Sequence, residues 1–139
     1  MYNVTIIGVG QLGSRHLQGL KRSQLELDIW CVDSNVSSLD TAKKRYEEIP
    51  EEINKEIHFV QSIESLPVSI DLVIVATSSK SRAFVIKCLL ERCKVKYLVL
   101  EKFLFPRLEE YSEVQSLLDR NNIIAWVNCP RRMFDYYSQ

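Results

Sequence analysis

The sequence predicts an α/β fold, built as a doubly wound parallel sheet of six strands in the order 3-2-1-4-5-6. Three observations predict it. A glycine-rich turn follows the first apolar run, an acidic residue ends the second, and strand-like runs then alternate with helical patterns. Parallel strands need crossover connections, usually helices, so this alternation favours a parallel sheet.

The first strand and its helix are contained in the segment VTIIGVGQLGSRHLQGL. A strand is predicted over 2–7 because Val4, Ile6 and Ile7 make the run apolar. A helix is predicted to begin near 10–12, because apolar residues recur at helical spacing after the glycines. The turn between the two elements therefore carries nearly all the glycine of a chain that has only four.

That turn, GVGQLG, has the pattern G-x-G-x-x-G, in which each glycine has its own role. Gly8 permits the tight turn, Gly10 lets the backbone approach a pyrophosphate, and Gly13 lets the helix pack against the strand. Gln11 and Leu12 fall in the first helical turn, where unpaired N–H groups and the helix dipole attract an anion. These five residues are predicted to bind a dinucleotide.

Asp33 strengthens that prediction, because it ends the run LELDIWCV and lies 20 positions after Gly13. A carboxylate there meets the adenosine ribose hydroxyls of a dinucleotide. It would also repel a 2′-phosphate, so NAD is the expected cofactor and NADP remains possible. The alternative is that Asp33 caps the helix that follows, although Asn35 or Ser34 could supply that cap instead.

The remaining elements continue the alternation over one domain, residues 1–127. The inner face of the helix predicted after the fourth strand is expected to carry Phe84, Val85, Cys88 and Leu89. The further predicted strands span 57–60, 71–76, 95–100 and 123–127, and the further helices span 35–49, 81–93 and 108–120.

Polar clusters follow the fourth, fifth and sixth strands, as TSSKSR, EKFLFP and NCPRRMF. Ligands bind beyond the carboxyl ends of the strands in such sheets, so the clusters are expected to converge there. His16 is interpreted as a packing or helix-surface histidine, and Arg131 and Arg132 either hold an anionic group or brace the chain. The predicted cofactor-binding residues at these strand ends are Ala76, Thr77, Ser78, Glu101 and Lys102.

The quoted segments, with VLEKFLF and AWVNCPRRMF, resemble the N-terminal half of the Gfo/Idh/MocA family of glucose–fructose oxidoreductases and inositol dehydrogenases. The resemblance implies a Rossmann-fold NAD(P)-binding domain of an oxidoreductase. Such an enzyme transfers hydride between the cofactor and a sugar, nucleotide-sugar or cyclitol.

Glu101 and Lys102 match the family's Glu-Lys-Pro motif, whose lysine lies at the nicotinamide, so the resemblance implies that Lys102 is catalytic. Phe103 replaces the motif's proline, Ser78 replaces the proline of Ala-Thr-Pro, and Arg82 stands near a family histidine. Lys102 follows an apolar strand, so partial desolvation is expected. The alternative is a solvated surface lysine paired with Glu101.

Family members carry a second α/β domain that roofs the substrate pocket. Residues 128–139 are expected to begin the crossover to such a domain, and this chain alone is expected to bind cofactor without turning over substrate. We also expect an apolar patch that favours self-association, with a homo-oligomer possible. The patch would comprise Trp126, Met133, Phe134, Tyr136 and Tyr137.

Composition excludes several other classes. The formal net charge is zero, which gives no reason to expect nucleic acid or an anionic membrane as partner. No apolar run approaches the roughly 20 residues of a membrane span, and no signal peptide is visible, so the cytoplasm is expected. The four cysteines form no C-x-x-C pair, so no metal site is expected.

Two alternatives to an enzyme domain of this family remain. One is a non-catalytic regulatory module that senses NAD(H). The other is a methyltransferase that uses S-adenosylmethionine, a class that also has a glycine turn and an acid after its second strand.

Overall fold

The structure, a computed structural model, describes residues 1–50, 53 and 55–134, with the side chains of Arg132 and Met133 left aside. The strands are β1 (Tyr2–Ile7), β2 (Leu27–Val32), β3 (Glu56–Val60), β4 (Ser69–Val75), β5 (Lys94–Glu101) and β6 (Ile124–Asn128). The helices are α1 (Gln11–Lys21), α2 (Val36–Glu47), α3 (Ser79–Arg92) and α4 (Leu108–Arg120), with 3-10 turns at Ile63–Ser65 and Pro130–Met133.

The sheet confirms the predicted topology. Its six strands lie in the order β3-β2-β1-β4-β5-β6, and every neighbouring pair is parallel. β1 pairs with β2 on one side and β4 on the other, so the turn after β1 lies where the winding direction reverses. That switch point is where open α/β sheets bind their ligands.

Two apolar cores, one on each face of the sheet, hold the helices in place. Leu17 of α1 and Ala42 of α2 are fully buried against residues of β1 and β2. Ile86 of α3 and Val114 of α4 belong to the other core, with residues of β4 and β5. Burying a leucine, isoleucine or valine side chain contributes about 1.5–3 kcal/mol, and this packing fixes the strand ends that carry the polar clusters.

The inner face of α3 differs from its prediction. The buried residues are Arg82, Ile86 and Leu89, whereas Phe84 is 71% exposed, so the placement of Phe84 was wrong. Positions 82, 86 and 89 share one face of a helix, and position 84 points away from it. The apolar pattern missed this face because one of its members is a buried arginine.

The predicted apolar patch falls only partly within the described residues. Trp126 is 50% exposed and Phe134 45% exposed, and Tyr97 packs against Trp126 at a ring distance of 5.7 Å. Tyr136 and Tyr137 lie outside the described residues, so the patch stays a prediction. Over the described part of the chain, no helix has the length and apolar character needed to cross a membrane.

Candidate functional site

Two glycines of the loop after β1 are required by backbone geometry. Gly8 has φ +85°, a backbone conformation that residues other than glycine rarely adopt. A Cβ there would lie 2.9 Å from the backbone nitrogen of Thr77. A Cβ on Gly13 would lie only 1.9 Å from the carbonyl oxygen of Gly8. The structure thus confirms the tight turn at Gly8 and the close approach of helix to strand at Gly13.

Gly10 differs from these two, because a Cβ on it would meet nothing within 4 Å. It is the N-cap of α1, which has no side-chain cap and no acidic residue in its first turn. The first N–H groups of a helix have no partner within the helix, and they carry the positive end of its dipole. The open space at Gly10 therefore fits a dinucleotide pyrophosphate at this helix end.

Arg45 of α2 adds a positive charge beside this loop, a feature that the sequence analysis missed. Its guanidinium lies 2.5 Å from the Ser14 hydroxyl and donates to the side-chain oxygen of Gln11 at 2.9 Å. Arg45 and Gln11 line a cleft of about 220 Å³ between the loop and α2, together with Val9, Gly10, Ser37, Ser38 and Thr41.

Asp33 ties the glycine loop to the end of β2. One carboxylate oxygen accepts the backbone N–H of Val9 at 3.0 Å, and the other accepts that of Asn35 at 2.9 Å. The cap of α2 is Asn35, whose side chain accepts from the backbone of Ser37 at 2.9 Å. Asp33 therefore lies beside the glycine loop at the end of β2, and its contact with a ribose stays a prediction. The residue that caps α2 is Asn35.

A second cleft of about 390 Å³ lies across the ends of β4 and β5. It brings together most of the predicted site residues, from the start of α1, the segment after β4 and the end of β5. Gln11 lines both clefts, so the two lie side by side at the carboxyl edge of the sheet, and we refer to them together as the groove. The lining residues are Gln11, Leu12, Ala76, Thr77, Ser78, Ser79, Arg82, Glu101, Lys102 and Phe103.

Lys102 and Phe103 project at the rim of this second cleft. Lys102 is exposed, so its expected desolvation was wrong, and Phe103 is 84% exposed. The buried hydroxyl oxygen of Thr77, also in the lining, has no hydrogen-bond partner among the described residues.

Glu101 is buried, at 4% exposure, and pairs with two residues other than Lys102. The same carboxylate oxygen lies 2.5 Å from Nε2 of His16 and accepts the side-chain amide of Asn128 at 2.8 Å. His16 is therefore part of the site's framework rather than only a packing histidine. Its spacing after the glycines places it on α1, but no local signal connects it with a strand end 85 residues away.

Arg82 is the second site residue whose role the sequence analysis missed. It is 2% exposed, and its guanidinium donates to four backbone carbonyls. One carbonyl lies in the segment after β4, one at the end of β5 and two in the segment that follows β5. Burial lowers the pKa of Arg82, and the nearby Glu101 carboxylate opposes that shift.

The described residues contain one cluster of side chains of the kinds that bind metal ions, and it lies at the opposite end of the sheet from the groove. Asp28, Glu56 and His58 offer ligand atoms within 4.8 Å of one another, and Asp28 accepts from both His58 and Trp30. Asp28 and Glu56 lie at the starts of β2 and β3. The group is therefore remote from the groove at the strand ends.

Comparison with known proteins decides the family. Residues 2–129 match the model of the Gfo/Idh/MocA group, described as an oxidoreductase family with an NAD-binding Rossmann fold. The chain belongs to this family. It is thus an NAD-binding Rossmann domain of oxidoreductase type, and no curated protein sequence matches it.

Solved structures show the same fold at low sequence identity. A Gfo/Idh/MocA family oxidoreductase from Vibrio cholerae is 16% identical with a TM-score of 0.77, over 100% of this chain and 42% of that one. Myo-inositol 2-dehydrogenase from Lactobacillus plantarum is 19% identical with a TM-score of 0.75, over 99% of this chain and 39% of that one.

Scyllo-inositol dehydrogenase from Lactobacillus casei, solved with NAD(H) and scyllo-inositol, gives 21% identity and a TM-score of 0.73. That match covers 99% of this chain and 39% of the dehydrogenase. The chain thus spans about two fifths of the length of the solved proteins it matches.

Proposed function

We propose that this chain binds NAD(H) in the groove along the carboxyl edge of its sheet, as the cofactor half of a dehydrogenase that acts on a cyclitol or sugar. The observation that carries the proposal is the uncapped N-terminus of α1, with open space at Gly10, beside a second cleft that Gln11 also lines and that lies at the ends of β4 and β5.

The adenosine half of the cofactor belongs to the glycine-loop end of the groove. Gly10 and the first turn of α1 hold the pyrophosphate, with Arg45 adding positive charge nearby. Asp33 has carboxylate lone pairs beyond its two backbone contacts, and it accepts the ribose hydroxyls. Its negative charge favours NAD over NADP, because a 2′-phosphate would bring like charges together.

The nicotinamide half belongs to the cleft between the ends of β4 and β5. Bound there, the nicotinamide supplies hydride transfer. Ala76, Thr77 and Ser78 form one wall, and Lys102 belongs to the other. Lys102 is our candidate catalytic group, since its exposed ammonium can stabilise the negative charge that develops on a substrate oxygen while the proton of that hydroxyl leaves to water.

The substrate class rests on the family and on what the solved relatives bind. Two of them are inositol dehydrogenases, and one was solved with scyllo-inositol and NAD(H). A ring polyol with a secondary alcohol suits hydride transfer at a carbon next to the Lys102 ammonium.

The binding proposal is tested by the melting temperature of the chain with NADH, NADPH or S-adenosylmethionine. A ligand at about 100 times its Kd stabilises the fold by about 2.7 kcal/mol. We expect the largest rise with NADH and a smaller rise with NADPH. No rise with either nucleotide, or a rise with S-adenosylmethionine alone, contradicts the proposal.

The chemical proposal is tested in a longer protein that carries this chain together with a substrate domain, because the chain alone is expected to bind cofactor without turnover. That protein is given NAD and a panel of inositols and sugars, and the absorbance of NADH is followed. Lys102→Ala is expected to abolish turnover while NAD still binds, and Lys96→Ala, an exposed lysine of β5, serves as the control. Turnover that survives Lys102→Ala unchanged contradicts the role of Lys102.

A further inference from the structure

Arg82 connects the two chain segments that form the walls of the nicotinamide cleft. One nitrogen, Nη2, donates to the carbonyl of Thr77 at 2.5 Å, in the segment after β4. The other, Nη1, donates to the carbonyls of Glu101, Phe103 and Leu104 at 2.6, 2.5 and 3.0 Å, at the end of β5 and beyond. A single side chain therefore bridges the two walls just beyond the paired ends of β4 and β5.

Only an arginine can make this set of contacts. The guanidinium carries five donors in a rigid plane, so two nitrogens can serve carbonyls in different directions at once. A lysine ammonium is a point charge with three donors on a flexible stem. Arg82 is 2% exposed, and burying a cation is costly unless it has hydrogen-bond partners. Both terminal nitrogens have such partners, whereas Nε has none among the described residues, so the partners of the guanidinium all lie in the two walls.

The segment after β5 has few other attachments. Within the described chain, no loop backbone-to-backbone hydrogen bond involves residues 102–106. Phe105 provides a separate anchor, because it is 8% exposed and packs edge-on against Tyr111 at a ring distance of 5.1 Å. Loss of Arg82 should therefore release Lys102 and Phe103 while Phe105 keeps the segment attached to the domain.

We infer that Arg82 is a positioning residue that fixes the nicotinamide end of the cleft by holding the carbonyls of Thr77 and Phe103 at a set spacing. This inference rests on the proposed function, since it concerns the same groove. It assigns Arg82 no contact with cofactor or substrate. A displacement of about 1 Å at a reacting group can lower a rate about a hundredfold, so a loosened wall should affect binding and chemistry alike.

The test compares NADH with ADP-ribose, which lacks only the nicotinamide ring. We expect wild type to bind NADH more tightly. Arg82→Lys keeps the charge but loses the planar fork, and it should weaken NADH about tenfold while changing ADP-ribose affinity by less than about twofold. Arg92→Lys is the matched control, because Arg92 donates to the carbonyl of Glu64 from the other end of α3.

A second variant separates positioning from general loss of stability. Arg82→Ala leaves a space of the shape of the guanidinium, and millimolar methylguanidinium should restore NADH affinity to it. Methylammonium at the same concentration should not, because it lacks the planar fork. Loss of stability alone would weaken NADH and ADP-ribose together and would not respond to methylguanidinium.

The outcomes separate this inference from the proposed function. If wild type binds neither NADH nor ADP-ribose, the proposed function fails. If wild type prefers NADH and Arg82→Lys keeps that preference in full, the inference about Arg82 fails alone.

Amide hydrogen exchange on wild type gives a readout that needs no variant. NADH should slow exchange in peptides covering 77–82 and 102–105 more than ADP-ribose does, and equal protection by the two ligands overturns the inference.

Discussion

The two ends of the groove are built in different ways. At the glycine-loop end, backbone geometry makes the site, because Gly8 and Gly13 leave no room for a Cβ and Gly10 leaves space for an anion. At the other end, buried charged side chains make it, because Arg82 and Glu101 hold segments that are distant in the sequence. A backbone site can be read from a local motif, whereas a side-chain site depends on partners that the folded chain brings together.

The largest expected effect is on the backbone end. Gly13→Ala places a Cβ 1.9 Å from the Gly8 carbonyl oxygen, so β1 and α1 must separate. We expect a loss of about 3 kcal/mol in the free energy of unfolding, measured with urea. Gly19→Ala is the control on the same helix, where a Cβ meets nothing within 4 Å and the change should stabilise by about 0.5–1 kcal/mol. Equal effects of the two substitutions would show that the contact is relieved elsewhere.

A change at Gly10 should separate binding from stability. Gly10→Val puts a branched side chain into the open space above α1, where the pyrophosphate is proposed to lie. Affinity for NADH should fall at least about a hundredfold, or about 2.7 kcal/mol. The free energy of unfolding without ligand should fall by only about 1 kcal/mol, the cost of a valine at the N-cap of α1. A folded Gly10→Val chain that binds NADH normally would refute the loop assignment.

Adjacent residues sharpen the description of the other end. Glu101→Ala leaves the amide of Asn128 and the ring of His16 without their shared acceptor, and it should cost about 2 kcal/mol in the free energy of unfolding. Lys102→Ala, one position further, should change it by less than about 0.5 kcal/mol because Lys102 is exposed. If Lys102→Ala lowered the free energy of unfolding more than Glu101→Ala did, the buried carboxylate would not be a structural element of the site.

Asp33 offers a smaller effect, on cofactor choice. Asp33→Ser removes the charge opposed to a 2′-phosphate, so the preference for NADH over NADPH should shrink about tenfold, or about 1.4 kcal/mol. Asp40→Ser, an exposed aspartate of α2, is the control. Titrations that show tighter NADPH binding by wild type would mean that Asp33 serves only its contacts with Val9 and Asn35.

The last comparison concerns one buried thiol in each of the two apolar cores. Burial raises the pKa of Cys31 to about 12, above the value of about 8.5 for an unfolded thiol. The folded state then keeps a proton that the unfolded state loses, so this contribution is complete below about pH 8.5 and falls as the pH rises, by at most about 1.4 kcal/mol per unit.

Cys93 is the comparison for that measurement. Burial also raises its pKa, but Arg92 opposes the shift. The free energy of unfolding between about pH 8 and about pH 10 should therefore flatten more with Cys31→Val than with Cys93→Val. A steeper pH dependence after Cys31→Val would contradict the sign of this argument.

The fold could be predicted from the sequence because its signals are local. Apolar strands such as β4, helical spacing in α4 and the glycine turn each occupy a short window, and the parallel pairing follows from the crossovers. The predicted bounds of α4, 108–120, agree with the structure. The buried face of α3 could not be predicted from apolar residues alone. The apolar pattern includes Phe84, which is exposed, and leaves out Arg82, which is buried.

The site was predictable only in part, because some of its contacts join residues that are far apart in the sequence. Strand ends converge in a parallel sheet, so the segments around Thr77 and Lys102 could be placed together. The partners of Glu101 could not, because His16 lies 85 positions away and Asn128 lies 27 positions away. Sequence spacing carries no information about which buried groups find each other across such separations.

A crystal structure of the chain with NADH tests the central claim most directly, because it places both ends of the cofactor at once. Our account predicts the pyrophosphate at the N-terminus of α1 beside Gly10, and the nicotinamide ring between Thr77 and Lys102 in the cleft that Arg82 holds. A pyrophosphate bound away from Gly10, or a nicotinamide outside the cleft between β4 and β5, would contradict it.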